Sequence, residues 1–226
     1  MPHGEPLLIE VAGESWALAS PFVIARGTKV EANVIVATVS DGHARGRGEA
    51  VPYARYGETV EASLAALRAL SGPLDRARAA SLLPAGAARN ALDCALWDFE
   101  AKRAAKRAWE LAGIRAPGPV LTCYTLSLGT PEAMAAAARA VPHLKLLKLK
   151  LGGASDPERM AAVRAARPDA RLVADANESW TVAMLAPFLD AAARAGLELV
   201  EQPLPEAEDA IPVSYTHLTL PTKRIV

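Results

Sequence analysis

Three short apolar runs in the second half of the chain end in charge, and few folds tolerate that. They are Leu147-Lys148-Leu149-Lys150-Leu151, Val173-Ala174-Asp175-Ala176-Asn177 and Leu199-Val200-Glu201-Gln202-Pro203. Each has the length and composition of a buried strand. An ammonium or carboxylate inside such a strand needs a partner, a metal or a chemical role, because desolvating an unpaired charge is costly. The charges recur about every 25 residues, the length of one strand-plus-helix unit. The intervening segments read accordingly. A strand over 120–128 precedes a helix over 131–141, and a strand over 145–151 precedes a helix over 156–167. That helix opens on Asp156-Pro157, read as an N-cap followed by proline at the first helical position. A strand over 171–176 leads to a helix over 180–195 that stops before Gly196, and a last strand covers 197–202. Alternating strands and helices predict a parallel sheet, either open and doubly wound or closed as a barrel. In both, functional groups gather at the C-terminal strand ends, where these charges lie.

The first half has a different texture. Residues 7–18 and 30–39 are β-rich, and Ser40-Asp41-Gly42 after the second is a turn signal, so an antiparallel sheet is expected there. Residues 20–28, between the two, read as an irregular connection rather than a simple hairpin turn. Helices are expected over 58–70 and 74–82, then a long one over 87–111 with Leu92, Leu96 and Phe99 on one face. Lys102, Arg103, Lys106 and Arg107 load its C-terminal half with cations, as the helix dipole prefers. Gly113 and Pro117-Gly118-Pro119 mark a domain boundary, giving an α+β domain over 1–117 and a strand–helix domain over 118–211. Residues 212–226 are Thr-rich, lack the Ala bias and fit neither element type, so they read as a foreign tail. Four strands cannot close a barrel.

Composition removes several classes. With 25 basic and 25 acidic residues there is no basic excess to draw nucleic acid or an anionic membrane. No apolar run reaches transmembrane length, and the first residues lack a secretory pattern. Two cysteines, Cys94 and Cys123, make no disulfide framework and read as core residues. A cytoplasmic protein is expected.

Side chains alternate along a strand, so Lys148 and Lys150 share one face while Leu147, Leu149 and Leu151 share the other. Neighbouring ammonium groups depress each other's pKa, which makes a lysine base near neutral pH. Asp175 and Glu201, on the next two strands, are placed to hold a divalent cation, and Mg2+ prefers such oxygens. A metal and a lysine base together suit removal of a proton beside a carboxylate, since the metal stabilises the enediolate. Taken singly, each motif has a plainer reading: Asp-Ala-Asn as a turn former, Glu-Gln-Pro as a strand end, Lys-x-Lys as a structural pair. Asn177 reads as a turn former or a support for the ligands rather than a ligand.

At these residues the chain resembles the enolase superfamily, muconate-lactonizing subgroup, and within it the dipeptide epimerases. The resemblance runs from residue 7 to about 211. It rests on the Lys-x-Lys, Asp-Ala-Asn and Glu-Gln-Pro trio, with Ala25-Arg26-Gly27, Arg55-Tyr56-Gly57-Glu58 and the 83–98 block as further support. The resemblance implies an α+β capping domain followed by the first half of a (β/α)7β TIM-like barrel, broken off after about four strands. It implies Lys150 as the base for the α-proton, and Lys148 as its neighbour that also contacts the substrate carboxylate. Asp175 and Glu201 become Mg2+ ligands, and Arg26 and Thr125 contact the substrate. That substrate is an acidic dipeptide of the L-Ala-D/L-Glu type, with peptidoglycan as a source. The family's third acidic ligand and opposing lysine lie on later strands, so an inactive fragment is expected. o-Succinylbenzoate synthesis, muconate cycloisomerisation and a non-catalytic interaction module are the alternatives.

Overall fold

The computed structural model describes residues 7–208, so the tail expected over 212–226 lies outside the described residues. These residues fall into two compact units, one of residues 7–18 with Glu31–Gly118, the other of Ala19–Val30 with the chain from Pro119 onward.

Strands β1 (Leu8–Ile24), β2 (Gly27–Ser40) and β3 (Arg45–Ala50) form a sheet in that order, which lies in the first unit apart from the Ala19–Val30 end of the β1–β2 hairpin. Strands β1 and β2 are one long hairpin with a turn at Ala25 and Arg26 only, so the irregular connection expected over 20–28 is absent. Phe22-Val23-Ile24 are strand formers, and Gly27 takes the positive φ of 148° that the turn exit requires. Strand β3 pairs antiparallel with β2 and was not anticipated, because Arg-Gly-Arg-Gly has low strand propensity. Packing explains the glycines. A Cβ on Gly46 would collide with the backbone of Ala95 and Phe99, and one on Gly48 with that of Ala91 and Ala95. Helix α3 (Ala87–Arg103) therefore lies with its backbone directly against the strand, burying Ala91, Leu92, Ala95, Leu96 and Phe99.

Helices α1 (Val60–Arg68) and α2 (Arg76–Leu82) start at side-chain caps. Thr59 Oγ1 accepts from Ala62 N (3.1 Å), and Asp75 Oδ1 accepts from Arg78 N (2.7 Å). The helix expected to reach 111 ends at Arg103: Ala105 turns left-handed (φ 51°), and a short α4 (Ala108–Leu111) restarts where Glu110 accepts from Arg107 N (2.7 Å). Only Lys102 and Arg103 thus sit in the last turn of α3. Cys94 and Cys123 are exposed, not core residues as expected; Cys94 falls outside the buried face of α3.

The second unit runs β4 (Cys123–Leu126), α5 (Pro131–Arg139), β5 (Leu146–Lys150), α6 (Asp156–Ala166), β6 (Arg171–Asp175), α7 (Val182–Arg194) and β7 (Leu197–Glu201). The four strands pair parallel in sequence order, β4-β5-β6-β7. Leu126, Leu147, Leu149, Leu172, Ala174 and Val200 pack with Met134, Met160, Val163, Leu185 and Leu189 into one core between sheet and helices. Among the described residues no helix is long and apolar enough to cross a membrane.

The N-terminal ends of β5, β6 and β7 are fastened by two arginines near the end of α6. Arg167 donates to the carbonyls of Ala138 (3.1 Å), Val141 (2.8 Å) and Leu144 (2.7 Å). Arg164 donates to those of Ala170 (2.7 Å), Ala195 (2.6 Å) and Gly196 (3.1 Å). Asp169 pairs with Arg167, and bonds from Arg167 and then Lys145 hold its carboxyl well below the usual carboxylate range. A carboxyl depressed on folding stabilises the fold above its unfolded pKa and loses that contribution as pH falls below it. Asp169→Asn should therefore lower the urea midpoint at pH 7, and the gap to the parent protein should shrink steadily as pH falls below the ordinary aspartate range. Parallel pH profiles for the two proteins would remove Asp169 from the acid transition.

Candidate active site

Alternation places Leu147, Leu149 and Leu151 against the helices and turns Lys148 and Lys150 to the opposite, inner face of the sheet. The same period sends Leu172, Ala174 and Ala176 outward and Asp175 inward. Strict alternation would fail at β7, where Leu197 and Val200 both belong to the helix-facing core although three positions separate them. The register shifts between Leu172↔Leu197 and Ala174↔Val200, so β7 carries one extra residue. That bulge returns Glu201 to the inner face, opposite Asp175.

The register then builds two adjoining rows: Thr125, Lys148 and Val173 in one, Lys150, Asp175 and Glu201 in the next. Lys150 Nζ donates to Asp175 Oδ2 at 2.6 Å, with the two residues only 9% and 2% exposed. Lys148 Nζ bridges Glu201 Oε2 and Asp175 Oδ2, the latter at 3.1 Å. Burial opposes charge on Lys148, but the bond to Glu201 and the charge of Asp175 outweigh it and raise the ammonium above its ordinary value. The expected mutual depression of the two lysines is thus overridden at Lys148 by carboxylates in direct contact. Burial likewise opposes charge on Asp175, yet Lys150, the Asn177 N–H and Lys148 together hold its carboxyl low.

The Ala19–Val30 part of the hairpin belongs to this unit. Val23 O accepts from Leu128 N (3.0 Å), and the Phe22 ring centroid lies 6.0 Å from Lys150 Nζ. Arg26 does not touch the four charged residues. Its Nη1 donates to Asn177 O (3.1 Å), just past Asp175, and lies 3.6 Å from Glu178 Oε2.

A further group was missed. Asp156 was read as an N-cap, but Ser155 occupies that position and Asp156 is the first helical residue, fully buried. Its carboxylate accepts from Gly152 N (3.0 Å), Gly153 N (2.9 Å), Arg159 Nη1 (2.7 Å) and Trp180 Nε1 (2.7 Å). Arg159 Nε also donates to Gly129 O (2.8 Å). One carboxylate therefore ties together the loops that follow β4, β5 and β6. Backbone bonds from Ala176, Glu178 and Trp180 to Glu201, Gln202 and Pro203 carry the tie on to the segment after β7. The only sequence signal was an acidic residue in a helix's first turn, which is common.

The donors suit a hard divalent cation in kind. Asp175 and Glu201 are neighbours on adjacent strands, and Asn177 Oδ1, two residues on, is buried without a hydrogen-bond partner. Among the described residues no group of three His, Cys, Asp or Glu that could hold a metal ion forms.

Comparison with known proteins fits this geometry. Residues 8–113 match the mandelate racemase / muconate lactonizing enzyme N-terminal domain, and residues 132–221 match the enolase C-terminal domain-like family. The L-Ala-D/L-Glu epimerase of Escherichia coli K12 is 43% identical over 215 residues, covering 92% of this chain and 67% of the relative. A solved enolase family member from Agrobacterium tumefaciens with homology to dipeptide epimerases holds sodium and L-Ala-L-Glu. It matches with a TM-score of 0.86 at 43% identity, over 91% of this chain and 64% of its own. The dipeptide epimerase of Methylococcus capsulatus, complexed with Mg and L-Arg-D-Lys, matches with a TM-score of 0.82 at 29% identity, over 89% of this chain and 62% of its own. The chain thus spans about two thirds of the length of these proteins. From both domain matches and the E. coli relative, the chain belongs to the mandelate racemase and muconate lactonizing enzyme group of the enolase superfamily.

Proposed function

We propose that this chain carries one face of the site of a Mg2+-dependent epimerase acting on acidic dipeptides of the L-Ala-D/L-Glu type. The observation that carries the reading is the convergence of Lys148, Lys150, Asp175 and Glu201 on the inner face at the C-terminal strand ends. In this reading the β4–β7 sheet is the opening part of a (β/α)7β barrel. Relatives of the stated identity that are named for dipeptide epimerisation, or hold a dipeptide, support it.

Asp175 and Glu201 would hold the metal, which when bound supplies positive charge to stabilise the enediolate left by proton removal. Lys150 Nζ takes the α-proton from one side. Proton abstraction needs a lone pair on Lys150 Nζ directed at the substrate, while an N–H of the same amine can still donate to the Asp175 carboxylate 2.6 Å away. Lys148, whose Nζ reaches the same inner face as Lys150, donates to the substrate carboxylate. Thr125, in register with Lys148, offers a hydroxyl to the same region. Arg26 receives the acidic side chain of the substrate, and a guanidinium fork is well matched to a carboxylate.

Inversion needs an acid or base on each side of the planar intermediate. Among the described residues only β5 brings lysine to the inner face of the sheet. The 226-residue chain with Mg2+ should therefore exchange the α-proton of one glutamyl configuration with solvent and not invert it. L-Ala-L-Glu and L-Ala-D-Glu incubated in D2O, followed by 1H NMR and chiral chromatography, test this. Inversion of either dipeptide would end the one-face reading, and exchange that proceeds equally in a Lys150→Met variant would end the assignment of Lys150 as base.

A further inference from the structure

Arg26 has a resident anion beside it. Its Nη1 is 3.1 Å from Asn177 O and 3.6 Å from Glu178 Oε2, and the two charged side chains are 34% and 19% exposed. Asn177 and Glu178 both have positive φ, 49° and 65°. Asn often adopts that conformation, but Glu rarely does. The Glu178 backbone is held in place by its N–H, which donates to Gln202 O at 2.8 Å. An acidic residue at the position that turns toward the guanidinium has a consequence for any anionic ligand arriving there. It partly neutralises Arg26 and repels a second carboxylate.

We propose that Glu178 is a specificity-determining residue, an internal carboxylate that shares Arg26 with the acidic side chain of the substrate and so moderates the preference for acidic over neutral dipeptides. This rests on the reading of Arg26 as the receptor for that side chain. A guanidinium presents five N–H donors. With Asn177 O taking one, it can serve Glu178 and an incoming carboxylate together, though each weakens the other's hold. Glu178 is thereby distinct from a residue that merely shapes the loop. A shape effect alters the binding of acidic and neutral ligands alike, whereas a charge effect alters their ratio.

The test is isothermal titration calorimetry on the 226-residue chain with Mg2+, comparing L-Ala-L-Glu with the isosteric neutral L-Ala-L-Gln. Glu178→Gln keeps the volume and removes the charge. It should raise the ratio of the two affinities about three- to fivefold, as expected for a partly exposed ion pair. Arg26→Ala alone should bring the ratio to one or below, because Glu178 is left to repel the acidic ligand, and the Arg26→Ala/Glu178→Gln double variant should bring it close to one. If Arg26→Ala collapses the ratio while Glu178→Gln leaves it unchanged or lowers it, the role of Glu178 is overturned and the receptor role of Arg26 stands. If Arg26→Ala leaves the ratio unchanged, or the parent chain does not discriminate, the receptor reading falls and the proposal for Glu178 falls with it.

Discussion

Lys150→Met should slow exchange of the substrate α-proton by about 10²- to 10⁴-fold, the usual contribution of a positioned general base. Methionine keeps the length of the buried stem and removes only the basic nitrogen. Asp175 does not become a lone buried charge in the variant, since Lys148 Nζ remains 3.1 Å from its Oδ2. Dipeptide affinity should accordingly change far less than the exchange rate. Loss of the α-proton signal in D2O measures the rate, and calorimetry measures the affinity. Exchange persisting within tenfold of the parent rate would move the base to another residue. Equal losses in rate and affinity would mean that the substitution had damaged the site rather than its chemistry.

Asp156→Ala should cost about 3–5 kcal/mol of stability in the second unit, the scale for breaking one side of a buried charged network. Two backbone N–H groups, the Arg159 guanidinium and the Trp180 indole lose their shared acceptor at once. Donors left buried without partners are expensive. Asp156→Asn should cost less than alanine because its amide oxygen still accepts, but it should still destabilise because its NH2 faces other donors. Urea unfolding followed by tryptophan fluorescence reports the change, with Trp180 itself buried in the network. An alanine variant within about 1 kcal/mol of the parent would show that water or local rearrangement satisfies those donors.

The second unit was legible because its strands obey simple rules. Leu147, Leu149 and Leu151 alternate with Lys148 and Lys150, and the helices between strands carry their own start and stop signals. Each predicted strand and helix overlaps the observed one, and the four charged residues named from spacing share one face. What stayed hidden depends on contacts between distant residues. Strand β3 looks like a loop until α3 is placed against Gly46 and Gly48. Arg26 and Asn177 are 151 positions apart, so their contact has no local pattern. Asp156 could be counted as a cap, but its link to Trp180 crosses a whole strand–helix unit. The raised pKa of Lys148 likewise follows from carboxylates on other strands, which a reading of Lys-x-Lys alone weighs against a neighbouring lysine.

The irregularity in β7 makes the face on which Glu201 lies a matter of parity. With three positions separating Leu197 and Val200 and only two separating their partners Leu172 and Ala174, the carboxylate reaches Asp175 by a miscount of one. Deleting a single residue between Leu197 and Val200 would keep every catalytic side chain present. The choice left to the strand would then be between pushing Glu201 into the apolar layer and sliding Val200 out of it. The identity of Glu201 and the count of residues before it are therefore separate requirements. An alignment column that preserves the glutamate across a one-residue gap would report a site that the backbone no longer forms.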